Sequence, residues 1–283
     1  MSAAAGSATV RSRRRRILPG FGPSLAFSLT YLTLLALVPL AACFLKAATL
    51  SPSEFLAAAW NERARAAYAL TLWAAAAAAG FNLAVGSLLA WVLVRYRFFG
   101  RRFLDAMIDL PFALPTAVAG LVYSALYVPT GWYGQLLAPL GIQGAYSRLG
   151  IVLVLVFVGL PFVVRTVQPV LQSFDAELEE ASACLGATRW QTLTRVIIPS
   201  LTPALLTGFA LAFARGLGEY GSVVFISGNI RFKTEIAPVL VVEKLDEFAY
   251  AEATAVATVL LAMSLVALGT INLLERWSRR HAN

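Results

Sequence analysis

Six apolar windows, each near the roughly 20 residues that span a bilayer as a helix, constrain this chain more than any other feature. They run over Leu25–Leu45, Ala66–Val94, Leu104–Tyr127, Leu149–Val170, Leu201–Ile226 and Phe248–Leu274. In hydrocarbon every backbone N–H and C=O needs a partner inside the protein, and a helix supplies one for each. The expected fold class is therefore all-α: a polytopic integral membrane protein of about six transmembrane helices. A hydrophobic fraction of 59% with only 13% charged residues excludes disorder and an ordinary soluble domain.

The basic residues choose an orientation. Arg11, Arg13, Arg14, Arg15, Arg16, Arg95, Arg97, Arg101, Arg102, Arg189, Arg195, Arg276, Arg279 and Arg280 fall on one side of the alternating connections. Only Lys46, Arg63, Arg65, Arg148, Arg231, Lys233 and Lys244 fall on the other. Lysine and arginine excess marks the cytoplasmic side, so the N- and C-termini and the connection between the fourth and fifth windows are expected in the cytoplasm. Residues 1–20 read as a disordered basic arm near anionic lipid, and residues 21–283 as the transmembrane domain. The net charge of +8 is thereby assigned to a membrane surface rather than to nucleic acid. The arginine cluster before an apolar run is also the pattern of a signal peptide, and Leu40–Cys43 that of a lipoprotein cleavage box. The run is long for a cleavable segment, so the first window is read as an anchor.

Little enzymatic chemistry is available. Cys43 and Cys184 offer neither a disulfide framework nor metal-ligand spacing, and His281 is the only histidine. No metal site, no catalytic triad and no G-x-x-x-x-G-K-[ST] phosphate loop can be assembled. The chain is expected not to be an enzyme and to need no cofactor of its own. Uphill transport would draw on a partner or an ion gradient. No internal repeat argues for an inverted-repeat transporter.

Ionisable groups inside apolar windows are costly and so point to function. Arg215 and Glu219, four apart, can share a helix face as an ion pair. Gly216, Gly218 and Gly221 around them fit either close helix packing or a span that unwinds beside a pathway. Arg165 is expected to snorkel toward the nearby surface. In the third window Pro111 and Pro115 remove backbone donors after Asp105 and Asp109, and Thr116 and Gly120 follow. That pattern reads as a kinked segment lining a pathway. Ala74–Ala79 with Gly80 reads as close helix packing. A doubly charged anion must find donors yet not be held tightly, which favours hydroxyls and one available cation. Thr116, Arg215, Tyr220 and Ser222 are therefore expected to face a central cavity, with Glu219 holding Arg215.

Residues 173–199 interrupt the apolar pattern with two short helices. Asp175 can cap the first, and Glu177, Glu179 and Glu180 sit near its positive end. Gly186 supplies a left-handed turn, Thr188 and Gln191 form a capping box for the second helix, and Pro199 is expected to follow its end. The stretch resembles the cytoplasmic EAA loop of ABC-importer permeases of type I. Glu180, Ala181 and Ser182 fill its first positions, Ser where the pattern has Ala, followed at the family's spacing by Gly186, Val196, Ile198 and Pro199. The segments DLPFALPTAVAG, GLGEYGSVVFISGNI and KTEIAPVLVVEKLDEFAYAEATAVA, with the closing RWSRR, extend the likeness to T-type permease subunits of sulfate/thiosulfate importers. Gly228–Tyr250 is more similar to that subunit than to its W-type partner. The resemblance implies a coupling helix that inserts into a cytoplasmic ATPase dimer, which binds the ATP. It further implies a second, W-type permease, an external sulfate/thiosulfate-binding protein and residence in the bacterial inner membrane. A molybdate or tungstate permease is the near alternative, an ion-coupled secondary transporter the distant one.

Overall fold

The computed structural model describes residues 21–281, with side chains as far as Glu275; the basic arm expected over 1–20 lies outside the described residues. Among the described residues the regular structure is helical throughout. Five helical runs among these residues are long and apolar enough to cross a membrane: Phe21–Ala47, Glu62–Arg95, Arg148–Gln172, Arg189–Leu217 and Tyr250–Glu275.

The first run comprises α1 (Phe21–Leu32), a π turn (Thr33–Leu37) and α2 (Val38–Ala47). Residues up to Leu45 form a unit of their own. Phe27, Leu34 and Leu45 are all more than half exposed there, an apolar surface that requires hydrocarbon or another chain to cover it.

The second unit begins at Lys46. α3 (Pro52–Ala59) opens on a capping box between Ser51 and Glu54, and α4 (Glu62–Arg95) on Asn61, which accepts from the Ala64 amide at 2.8 Å. α5 (Arg101–Ile108), α6 (Leu110–Ala113) and α7 (Thr116–Tyr127) follow, then α8 (Trp132–Leu137). α9 (Arg148–Gln172) begins at a Ser147 cap and ends at the polar connection, which holds α10 (Ala176–Cys184) and α11 (Arg189–Thr192). α12 (Ile198–Leu217), α13 (Val223–Ser227), α14 (Ala237–Asp246) and α15 (Tyr250–His281) complete the chain.

α4, α9 and α12 form the centre. Ala75, Ala79, Ala90 and Leu93 of α4 meet Val163, Val164 and Val167 of α9, with Leu201, Ala212 and Phe213 of α12. Small side chains let helix backbones approach where lipid supplies no hydrophobic drive. Ala74, Ala75, Ala78 and Ala79 are buried as the alanine run suggested, whereas Gly80 faces outward with nothing near it. Asn82, fully buried, stitches α4 to α9 by donating to the Val156 carbonyl at 3.0 Å.

Two of the six expected spans need correction. The third, Leu104–Tyr127, is three pieces, parted at Asp109 and again where Pro115 forces Leu114 before it into extended backbone (φ −87°, ψ 132°). Its longest piece, α7, has 12 residues, about 18 Å of helix and too short for a bilayer. The fifth starts earlier and stops earlier than Leu201–Ile226. It runs unbroken from Arg189 and ends at Leu217. Pro199 therefore lies inside this helix rather than beyond it. A π turn over Leu193–Ile197 precedes it, as Thr33–Leu37 precedes Pro39. The wider turn absorbs the hydrogen bond and the space that proline denies the preceding carbonyl.

Candidate functional site

Two places concentrate the features singled out in the sequence. At the polar connection, the Asp175 carboxylate accepts from the Glu177 amide at 3.0 Å and caps α10. Gly186 follows α10 at φ +80°, a conformation that L side chains avoid. The Ala187 amide reaches back to the Ser182 carbonyl at 3.0 Å, closing the turn. Thr188 and Gln191 exchange bonds: the Thr188 amide donates to Gln191 Oε1 (2.8 Å) and the Gln191 amide to Thr188 Oγ1 (3.3 Å).

Long-range contacts then fix this element. Arg95, the last residue of α4, pairs with Glu179, and its guanidinium lies over the Trp91 ring at 5.0 Å. The Ser182 hydroxyl donates to the Glu179 carbonyl (2.8 Å), so the 2.9 Å contact with Thr192 Oγ1 is one in which Thr192 donates. Serine at this position thus ties the two short helices together. Glu180, Ala181, Gly186, Ile198 and Pro199 are exposed, Ser182 and Val196 half-buried. Leu185 and Trp190 are 89% and 70% exposed. Large apolar side chains standing in the open on a rigid, capped element suit docking.

At the second place two helix breaks meet. α12 stops at Leu217, and the chain unwinds through Gly218–Ser222 before α13. Of the two readings left open for the Gly216–Gly221 segment, both unwinding and close backbone approach occur. A Cβ on Gly120 of α7 would stand 2.3 Å from the Ser222 carbonyl, and one on Gly221 equally near Thr116 Oγ1. Ser124 donates to the Phe225 carbonyl at 2.8 Å, supplying a partner to a short helix that has few of its own.

The expected Arg215–Glu219 pair is formed, with Nη1 to Oε2 at 2.5 Å. Glu219 is only 1% exposed, and its other oxygen accepts from the Ser222 amide (2.9 Å) and hydroxyl (2.7 Å). Ser222 is fully buried, its hydroxyl committed to Glu219. Arg215 and Tyr220 each remain about one-third exposed, and Thr116 is half-buried at the first turn of α7, which has no side-chain cap.

Arg165, expected to snorkel, is engaged by partners of its own. It donates to Asp105, Asp109 and Gln168, joining α9 to the broken segment. Neither the carboxylates of this network nor the Arg95–Glu179 pair could be found by spacing, since these partners stand 56 to 84 residues apart. At the opposite end of the bundle, Arg63 binds Glu235 (Nε to Oε2, 2.9 Å) and Glu243, which Arg231 also reaches at 3.2 Å. These cations, Arg63 foremost, hold the Glu243 carboxyl below the ordinary carboxylate range. Among the described residues no cluster of three or more His, Cys, Asp or Glu can hold a metal ion.

Residues 82–280 match the model of the binding-protein-dependent transport system inner membrane component family. The chain belongs to that family. It is accordingly a multi-pass protein of the cytoplasmic membrane, and its family is that of the membrane component of an ABC importer. The sulfate transport system permease protein CysT of Synechocystis sp. is 52% identical over 256 residues, 90% of each chain. CysT of Escherichia coli is 49% identical over 267 residues, 94% of this chain and 96% of that one. A solved structure of a bacterial alginate ABC transporter, in complex with an alginate-bound periplasmic protein, superposes with a TM-score of 0.75. It covers 93% of this chain and 94% of its own at 19% identity, which establishes the fold of type I importer permeases.

Proposed function

We propose that this chain is the permease subunit of an ABC importer for sulfate and thiosulfate, forming half of the pathway, and that residues 173–199 are its coupling joint. The observation that carries the reading is the built surface at Glu179–Pro199. Two capped helices meet at a left-handed glycine, are pinned by Arg95, and hold Leu185 and Trp190 in the open. The oxyanion class rests on the identity of about half to sulfate permeases over nearly the whole chain.

In this reading the joint, both termini and the Arg95 end of α4 face the cytoplasm. Glu180, Ala181, Ser182, Gly186, Val196, Ile198 and Pro199 form or support the surface that a partner ATPase dimer grips. That dimer binds and hydrolyses ATP; this chain does neither. A second, W-type permease completes the pathway, and an external sulfate/thiosulfate-binding protein delivers the anion. Thr116, Arg215 and Tyr220 offer it donors beside the two helix breaks. Glu219 and Ser222 act behind them: Glu219 neutralises Arg215 until an anion competes for it, and Ser222 fixes Glu219.

Gly186→Leu tests the joint. Apart from its chain neighbours no atom lies within 4 Å of the added Cβ, so the first penalty is the left-handed backbone, about 1–2 kcal/mol. The variant should insert and assemble with its partners in liposomes. Sulfate accumulation should nevertheless fall by more than about tenfold, a coupling loss within the usual range for linked sites. A maleimide that cannot cross the bilayer should reach the exposed Cys184 from the cytoplasmic face only, and the bound ATPase should protect it. Wild-type uptake by Gly186→Leu, or labelling of Cys184 from outside, would overturn this assignment.

A further inference from the structure

α5, α6 and the Leu114–Pro115 link lie against α9, yet Ile108 is their only buried residue. By contrast α7, just beyond the break, buries Ala119, Gly120 and Ser124. Apolar burial therefore gives the first half of this segment little hold. Its fastening is polar and centres on one side chain.

The Arg165 guanidinium has five N–H donors in a fixed plane, and five hydrogen bonds radiate from it. Nε and Nη2 grip both oxygens of Asp109 at 2.8 and 2.7 Å. Nη1 reaches Asp105 Oδ1 at 2.6 Å and Gln168 Oε1 at 2.7 Å. Nη2 also donates to the Asp105 backbone carbonyl at 2.9 Å. Asp105 lies within α5 and Asp109 at the joint between α5 and α6, so one arginine spans that joint. Phe112 packs edge-on against Phe162 at 5.3 Å and adds an aromatic contact one turn along each helix.

Position makes the fastening more than local. Arg165 stands two turns before Gln172, where α9 ends and the 173–199 connection begins. Six residues beyond Asp109 lies Pro115, the break from which α7 runs against Ser222. We infer that Arg165 is a positioning residue for transport: it clamps the broken segment to α9, so that displacement of the connection reaches the break at Pro115. A bidentate, in-plane grip resists sliding and rotation in a way that apolar contact does not. Without it, α9 would move and the lightly buried segment would lag. The inference rests on the coupling function proposed above.

The test uses the assembled transporter in liposomes, with partner permease, ATPase and binding protein, and reads radiolabelled sulfate taken up per ATP hydrolysed. Arg165→Gln alone strands two carboxylates and can fail to assemble. The deciding variant therefore combines Arg165→Gln with Asp105→Asn and Asp109→Asn, which leaves no unpaired charge in the network. It should assemble and still hydrolyse ATP, while sulfate moved per ATP falls about tenfold. Arg165→Lys keeps the charge but lacks the planar fork, and its ratio should lie between the two. A wild-type ratio in the triple variant would overturn the clamp and reduce the network to charge neutralisation. Wild-type complex that hydrolyses ATP without moving sulfate would instead overturn the functional reading and this inference with it.

Discussion

The 173–199 connection and the paired breaks around Ser222 are held in opposite ways. The connection is built from neighbours: Asp175 caps two residues on, Thr188 and Gln191 cap each other, and Gly186 turns the chain with its amide on the Ala183 carbonyl. Its ion pair to the rest of the protein is Arg95–Glu179, whereas Ser182–Thr192 joins its own two helices. At the breaks the packing determinants come from elsewhere in the chain. Gly120 admits the Ser222 backbone and Ser124 satisfies Phe225, while the Glu219 bonds to Arg215 and Ser222 are local. The connection, proposed as a docking surface, takes its shape from its own sequence, whereas the region between helices takes its shape from what packs upon it.

The strongest way to break that contrast is Gly120→Ala. One methyl would stand 2.3 Å from the Ser222 carbonyl oxygen and 2.8 Å from its Cα. Backbone atoms cannot swing aside as a side chain does. α7 and α13 would have to part, and the cost of such overpacking is about 3 kcal/mol. The thermal midpoint of the purified permease in detergent should drop by several degrees, with uptake lost. An unchanged midpoint would mean that the breaks tolerate separation and are not shaped by mutual packing.

That same dependence explains how far the sequence could be read. The capped connection was legible because each of its signals lies within four residues of its partner. The Arg215–Glu219 pair was legible for the same reason. The unwinding after Leu217 was suggested by glycine density, and the break at Pro115 by proline chemistry. Hydrophobic windows located the apolar runs but not their continuity: six were expected to span, and among the described residues five helices are long enough. An apolar count is blind to a Leu114 held extended by Pro115, or to a π turn that lets a helix pass through Pro199. The five bonds of Arg165 were not foreseen because Asp105 and Asp109 come to it only through tertiary packing. Arg95 was counted as a topological charge, although it also anchors Glu179 and covers Trp91.

A smaller effect is expected at Glu219, where local and distant determinants overlap. Glu219→Gln keeps an acceptor for Ser222 but turns an amide donor toward Arg215, placing donor against donor. Breaking a buried ion pair costs several kcal/mol; with Arg215 one-third exposed to solvent, about 2 kcal/mol is expected. Membrane-inserted yield should fall, and uptake should depend differently on sulfate concentration. Combining Arg215→Gln with Glu219→Gln should restore insertion above either single change, since no lone charge remains in the span. If the double variant inserts no better than the singles, the pair is not what stabilises the break.

The smallest effect belongs to Ser182, and it asks whether the connection is as self-sufficient as its caps imply. Ser182→Ala deletes the bond to the Glu179 carbonyl and the acceptor for Thr192. Each such bond is worth about 1 kcal/mol net, less where water can replace the partner. Ser182 and Thr192 are only half-buried, so water can replace it. Alanine also suits a helix better than serine by about 0.5 kcal/mol. These changes nearly cancel, and the Gly186 turn and the Thr188 capping box remain intact. Stability should therefore shift by less than about 1 kcal/mol. Uptake should stay within about twofold of wild type, a coupling change of under 0.5 kcal/mol. Thr192→Ala loses only the second of these bonds and should cost no more, and the double variant should match Ser182→Ala because their shared contact is already gone. A loss of uptake as deep as that expected for Gly186→Leu would show that the angle between α10 and α11 hangs on this one tie. The connection would then resemble the breaks, held by a partner rather than by its own sequence.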